Sequence, residues 1–326
     1  MGKYILRRLL MMIPVLLGIS FVVFGLLELS PGDPAQVILG QRAKPEDVAA
    51  LREEMGLNEP FLTRYVKYLS DAVQGDFGTS YRTKLPVFTE IMSRMPTTII
   101  VALGAIVLMV ILAIPIGILS AVKQYSLLDN VTLAGALLLS SMPSFWLGIM
   151  LMLLFGLKLG WLPTTGGGSF AGYIMPWFTL AAGYMATLVR LTRSNMLEVI
   201  RADYIKMARS KGATEKHVII RHALRNACLP IVTIIGMNFA KMLGGTMIVE
   251  SVFSLSGLGS LAITSVTSLD IPMVMAEVLF IAFIIGMMNL LVDILYVYID
   301  PRLKSQYVSP SRRRRLERAV SQGVSK

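Results

Sequence analysis

The chain has 326 residues, 55% of them hydrophobic and only 16% charged, and a mean hydropathy of +0.66. Soluble domains carry about 25% charged residues, so this composition excludes an ordinary water-soluble globular protein and predicts an all-α, polytopic membrane chain. One cysteine, Cys228, excludes an internal disulfide framework, and two histidines, His217 and His222, are too few for a histidine-built metal site.

The predicted elements begin with an apolar run over Leu9–Leu29, preceded by Lys3, Arg7 and Arg8. It is too long for a signal-peptide core and no small-x-small site follows, so it reads as an uncleaved anchor. The segment Ser30–Pro96 then has mixed charge. Within it, Pro45-Glu46-Asp47 opens a short helix closed by Gly56. Leu62, Tyr65, Val66, Leu69 and Val73 recur at helical spacing before Gly75, and Val87, Phe88, Ile91, Met92 and Met95 form a stripe expected along the membrane surface.

Crossing about 30 Å of hydrocarbon takes roughly 20 apolar residues. Four more runs meet that demand, Thr97–Val122, Val131–Leu157, Leu229–Val249 and Met273–Ile299, and the short Ile174–Val189 is read as a further span, for six transmembrane helices in all. In the third, Pro143 with Met142 and Ser144 predicts a kink, read either as part of a pathway or as purely structural. Lysine and arginine near the span ends set orientation. Lys123 and the loop Arg193–Cys228 are basic, whereas Glu250–Pro272 has no lysine or arginine. Both termini and the Arg193–Cys228 loop are therefore expected in the cytoplasm. The expected organisation is a cytoplasmic N-terminus and first span over 1–29, an extracytoplasmic segment over 30–96, a five-helix core over 97–303 containing loop 193–228, and a basic tail over 304–326. The net charge of +11 lies beside apolar runs, so it points to topology and lipid headgroups, not nucleic acid. The run Arg312–Arg315 reads as a solvated tail or an anionic-lipid contact.

In the basic loop, Met196, Leu197, Val199, Ile200, Tyr204, Met207 and Ala208 give one helix an apolar side, Gly212 stops it, and Thr214 caps a second containing Val218, Ile219 and Leu224. The product is a compact knob, either resting on headgroups or docking a partner. His217 and His222 are five apart, not the three or four that puts side chains on one α-helical face. In the fifth span Lys241 lies about 18 Å beyond Leu229, with Asn238 and Gly245 on its face. A lysine at that depth lines a polar pathway, pairs with an acid such as Glu277, or snorkels to an interface.

No phosphate-binding G-x-x-x-x-G-K-[ST], no H-E-x-x-H, no C-x-x-C and no G-x-S-x-G occurs, and the acids Glu28, Glu250, Glu277 and Asp293 are scattered. No catalytic residue and no metal ligand is expected. The methionines follow no spacing and read as packing residues. A secondary transporter would show inverted repeats or mid-membrane coupling residues, and none is evident. A membrane scaffold using the basic loop is the remaining class.

The segment Asp203-Tyr204-Ile205-Lys206-Met207-Ala208-Arg209-Ser210-Lys211-Gly212-Ala213, followed by Arg221-His222-Ala223-Leu224-Arg225-Asn226-Ala227-Cys228-Leu229-Pro230, resembles the EAA-x3-G loop of ABC importer permeases. Lys206-Met207-Ala208 keeps only the last alanine of the triplet, and the glycine-to-proline spacing is long. Both departures resemble the dipeptide/oligopeptide and nickel branch. So do Tyr4-Ile5-Leu6-Arg7-Arg8-Leu9, Pro31-Gly32-Asp33-Pro34, Gly75-Asp76-Phe77-Gly78, Ser141-Met142-Pro143-Ser144-Phe145, Gly257-Leu258-Gly259, and Asn289-Leu290-Leu291-Val292-Asp293 leading to Asp300-Pro301-Arg302. The resemblance, to the first of two paired permeases, implies a second permease subunit, two cytoplasmic ATPase subunits that bind the ATP and magnesium, and an extracytoplasmic solute-binding protein. No cofactor is then expected in this chain. The implied cargo is di- or oligopeptide, with glutathione, chelated nickel or oligosaccharide as alternatives. Lys206, Met207, Ala208, Arg209, Ser210, Lys211, Gly212 and Ala213 would form the ATPase-coupling element, with Ala208, Gly212 and Ala213 in close contact and Arg209 and Lys211 at the rim. Asn238, Lys241, Gly245, Met142 and Ser144 are the candidate pathway residues.

Overall fold

The computed structural model describes residues 2–40 and 42–299, and among these no strand forms. Helix α1 (Gly2–Glu28) is followed by α2 (Pro34–Leu39), α3 (Pro45–Glu54) and α4 (Phe61–Val73), then by α5 (Val87–Val122). Next come α6 (Leu127–Ser141), α7 (Ser144–Leu151) with a π-helical continuation over Met152–Lys158, and α8 (Phe170–Ile200). The chain closes through α9 (Asp203–Ser210), α10 (Glu215–His217), a π-helical stretch over Val218–Leu224, α11 (Arg225–Val252), α12 (Leu258–Thr267) and α13 (Ile271–Ile299). Five of the helical stretches are long and apolar enough to cross a membrane, and the α6–α7 pair makes a sixth if counted as one span.

Four expectations change. The third span is broken: α6 and the helix beginning at Ser144 bend by 105°. Met142 is extended (φ −82°, ψ 127°), as a residue before proline prefers, and Pro143 opens the next helix with φ −58°. The fourth span is not short; α8 continues eleven residues beyond Val189 and takes Arg190 and Arg193 into the helix. The stripe from Val87 does not lie on the membrane surface. It is the first turns of α5, with Val87 and Ile91 buried against Leu258, Leu261, Met273 and Ala276. The loop 193–228 shrinks to short linkers around α9, because Met196–Ile200 end α8 and the second loop helix runs on into α11. The Arg312–Arg315 run and Asp300-Pro301-Arg302 lie outside the described residues.

The core lies between α5 and α8, where Val101, Ala105, Met109 and Ala113 meet Leu180, Ala181, Met185, Leu188 and Val189. Small residues let the backbones approach: a Cβ on Gly104 would lie 2.0 Å from the Trp177 indole, and one on Gly117 would lie 2.7 Å from Thr192. Polar clasps tie both ends of the bundle. At one end Arg8 pairs with Asp293 at 2.6 Å, joining α1 to α13. There too Asp129 of α6 receives the Arg193 guanidinium through two bonds of 2.7 Å, along with the Ser120 hydroxyl and the Tyr125 amide. At the other end Glu250 accepts from Thr98 at 2.7 Å and from the Ser260 amide at 3.0 Å. Asp270 accepts from the amide of Tyr81 at 3.0 Å, anchoring the segment before α5. Helix α4 packs antiparallel on α1 through Phe61, Tyr65, Phe21 and Phe24, with Arg64 bonded to Glu28 at 2.8 Å.

Candidate functional site

The knob that follows α8 is held by its own apolar centre. Met196, Ile205, Val218, Ala223 and Ala227 are buried together with Ala121 from the end of α5, and Ala208 and Ala213 pack against them. The two alanines expected in close contact with a partner therefore face the knob's interior. Its outward surface is Tyr204, 48% exposed, and Met207, 61% exposed, flanked by Lys206, Arg209, Ser210, Lys211 and Gly212. Gly212 has φ 82°, and a Cβ there would meet nothing within 4 Å, so the turn needs glycine for conformation while its outer side stays open. Arg209 forks onto Glu215 at 2.7 and 3.3 Å, bracing α9 against α10 across that turn. Lys206 donates to Asp203 at 2.9 Å and draws its carboxyl below the usual range. Thr214 stands at the start of α10 without a side-chain capping bond.

His217 and His222 do share one side of their helix, against the expectation from their spacing. His217 and His222 have ring centroids 5.3 Å apart, because Val218–Leu224 is π-helical and its wider turn brings residues five apart onto one side.

In α11, Asn238, Lys241 and Gly245 part company. Asn238 is buried and its amide points to Met109 Sδ at 3.9 Å. Gly245 faces α8, with an added Cβ 3.4 Å from Tyr184 Oη. Lys241 is exposed and makes no ion pair with Glu277, whose two carboxyl oxygens are buried without a hydrogen-bond partner among the described residues. Met142 and Ser144 flank the α6–α7 elbow, half-buried. Sequence reasoning missed Arg190, exposed on α8, because the fourth apolar run was ended at Val189. It also missed the Asp129–Arg193 pair, which turns a charge counted as topological into a structural one.

Among the described residues no group of three or more His, Cys, Asp or Glu side chains is arranged to hold a metal ion. What the geometry offers is a bundle with a bent helix pair and a knob at one end. Residues 113–305 match the family described as binding-protein-dependent transport system inner membrane component, and residues 1–103 match its N-terminal companion. The dipeptide transport system permease protein DppB of Alkalihalophilus pseudofirmus is 40% identical over 332 positions, covering 93% of this chain and 100% of that protein. The glutathione transport system permease protein GsiC of Salmonella choleraesuis is also 40% identical, over 93% of this chain and 99% of its own length. A solved structure of the MetNI methionine ABC transporter, described as inward facing, superimposes with a TM-score of 0.54 at 15% identity over 65% of this chain and 97% of the other. That last likeness concerns the fold alone, while the family match and the two permeases set the membership: this chain belongs to the binding-protein-dependent transport system inner membrane components.

Proposed function

We propose that the chain forms half of the translocation pathway of an ABC importer for di- and oligopeptides, moved by separate ATPase subunits. The supporting observation is the 40% identity with a dipeptide permease over 93% of this chain and the whole of that protein. ATP and magnesium belong on the partner subunits, and the chain itself carries out no covalent chemistry. Its companions are a second permease, an ATPase pair and a solute-binding protein outside the membrane. In this reading 1–29 anchors, 30–96 caps the outer mouth, 97–303 forms the permease core and 304–326 trails in the cytoplasm.

The ATPases take hold at the knob through Tyr204, Met207, Lys211 and the open side of Gly212. The pathway runs past Lys241, Gly245 and the Met142–Ser144 elbow, with Asn238 securing α11 to α5 behind it. Glutathione is the second reading, favoured by the equal identity to a glutathione permease. Reconstitution of the whole assembly in vesicles separates them: peptide-loaded binding protein should raise ATP hydrolysis and drive peptide inward. Stimulation by glutathione alone selects the second reading, and solute flux through this chain without ATPases removes both.

A further inference from the structure

Around α8 the neighbours are fixed by contacts. Thr192 and Val189 abut Gly117 of α5, Arg193 reaches Asp129 of α6, and Leu180 and Tyr184 face Gly245 of α11. The remaining side of α8, opposite α5 and between α6 and α11, is exposed, and it reads Gly183, Thr187, Arg190 and Ser194 at helical spacing. Glu198 continues that line two turns beyond Arg190, at the knob end. The exposed side of α5 is of another kind: Ile100, Leu103, Val107 and Ile111, a lipid-compatible stripe. Polar and ionisable groups at membrane depth belong on a bundle interior or a water-filled cavity, so the α8 stripe does not face lipid.

Lys241 borders the same surface from α11. A helix advances about 1.5 Å per residue. From the Gly245–Tyr184 contact the antiparallel helices therefore bring Lys241 to the height of Leu188, and Arg190 about 3 Å nearer the knob. Neither cation has an ion pair or hydrogen bond among the described residues. Two unpaired cations within a turn of each other, with the exposed hydroxyls of Thr187 and Ser194 on the same stripe, make an anion-attracting seam.

We infer that the α8–α11 seam, through Arg190 and Lys241, holds the free carboxylate of the solute as it passes. This rests on the peptide reading above and names the part of the solute that is recognised. Every unblocked peptide carries one C-terminal carboxylate whatever its side chains, so a backbone-end contact serves a carrier of many sequences. The guanidinium supplies a planar fork and the ammonium a point charge.

Two experiments on the complete assembly in nanodiscs and vesicles test it. In the first, Cys228→Ser removes the native thiol and Thr187→Cys places one in the seam. A negatively charged methanethiosulfonate should react about tenfold faster than a positively charged one, as expected where a cationic cleft concentrates anions. Arg190→Gln with Lys241→Gln should abolish that preference. Equal rates for the two reagents, or no reaction because lipid or the second permease covers the stripe, overturns the inference. In the second, Lys241→Gln and Arg190→Gln should each slow import of a free-carboxylate peptide while binding-protein-stimulated ATP hydrolysis continues, and Lys241→Arg should restore import. Unchanged import in the double variant overturns the inference, as does hydrolysis falling in step with import without rescue by Lys241→Arg. Failure of the wild-type assembly to import any peptide counts against the proposed function instead, and the thiol-reagent result stands apart from it.

Discussion

Asp129 is 1% exposed, and both its oxygens are engaged by Arg193. Truncating one partner of a buried pair leaves the other charge stranded, at about 3–5 kcal/mol. Asp129→Ala should therefore lower the thermal midpoint of the purified assembly sharply. Adding Arg193→Gln should return part of the loss, because interacting residues are not additive. Equal midpoints for the single and double variants would show that the pair is not coupled. Glu277 poses the opposite case. Its oxygens are buried without a hydrogen-bond partner among the described residues, so the carboxyl adds little to stability. Glu277→Met should leave the midpoint unchanged or raise it, since an unsatisfied buried group costs about 1–3 kcal/mol. A marked drop would mean that Glu277 finds a partner in the assembled complex. These partnerships were not legible in the sequence. Lys241 and Glu277 look like a pair by charge and depth, but pairing needs facing rotations of two distant helices, and hydropathy carries no such information. Asp129 and Arg193, 64 positions apart, had no local signal at all.

At the scale of elements, what was legible follows from solvent. The hydrocarbon selects long apolar runs, and the runs located all the principal helices. It does not select where a helix ends once it leaves the lipid, which is why α8 and α5 extend past their apolar limits at Ile200 and Val87. The break at Pro143 was visible as a kink, but its size depends on packing: α7 turns so that Gly148 can seat against Val252 and Phe253, with an added Cβ 3.1 Å from Val252. Two glycines separate conformational from steric demands. A Cβ on Gly259 would lie 2.3 Å from the Met247 Cα, where backbone faces backbone and neither helix can yield. Gly259→Ala should push α12 off α11, costing about 1–3 kcal/mol or more by overpacking and loosening the Glu250 clasp. Gly212→Ala meets no neighbour and costs about 1–2 kcal/mol for the left-handed backbone alone. Its midpoint should fall only slightly while ATPase co-purification drops. A Gly212→Ala assembly that keeps its ATPases and its transport would remove the knob from the coupling route.

On the scale of the whole molecule, the bundle decides which segments share an end, and charge decides which end is inside. The Arg8–Asp293 pair, the Asp129–Arg193 pair and the knob all gather where α1 begins and α8 and α13 finish. The Glu250 clasp, the Asp270 anchor and α2–α4 gather at the other end. The first group brings Arg7, Lys123, Arg201, Lys206, Lys211, Lys216, Arg221 and Arg225 to one face, while the loop from Glu250 to Pro272 brings no lysine or arginine to the opposite one. Positive charge is retained on the cytoplasmic side, so the knob should stand inside the cell and the Gly257–Gly259 turn outside. With Cys228→Ser as background, Ser256→Cys should react with a membrane-impermeant maleimide in intact cells, whereas Ser210→Cys should react only after permeabilisation. Both positions are exposed in the subunit, so burial within the chain does not account for a difference. The reverse pattern would turn the bundle over, place the knob away from nucleotide, and leave an ATPase nothing to grip.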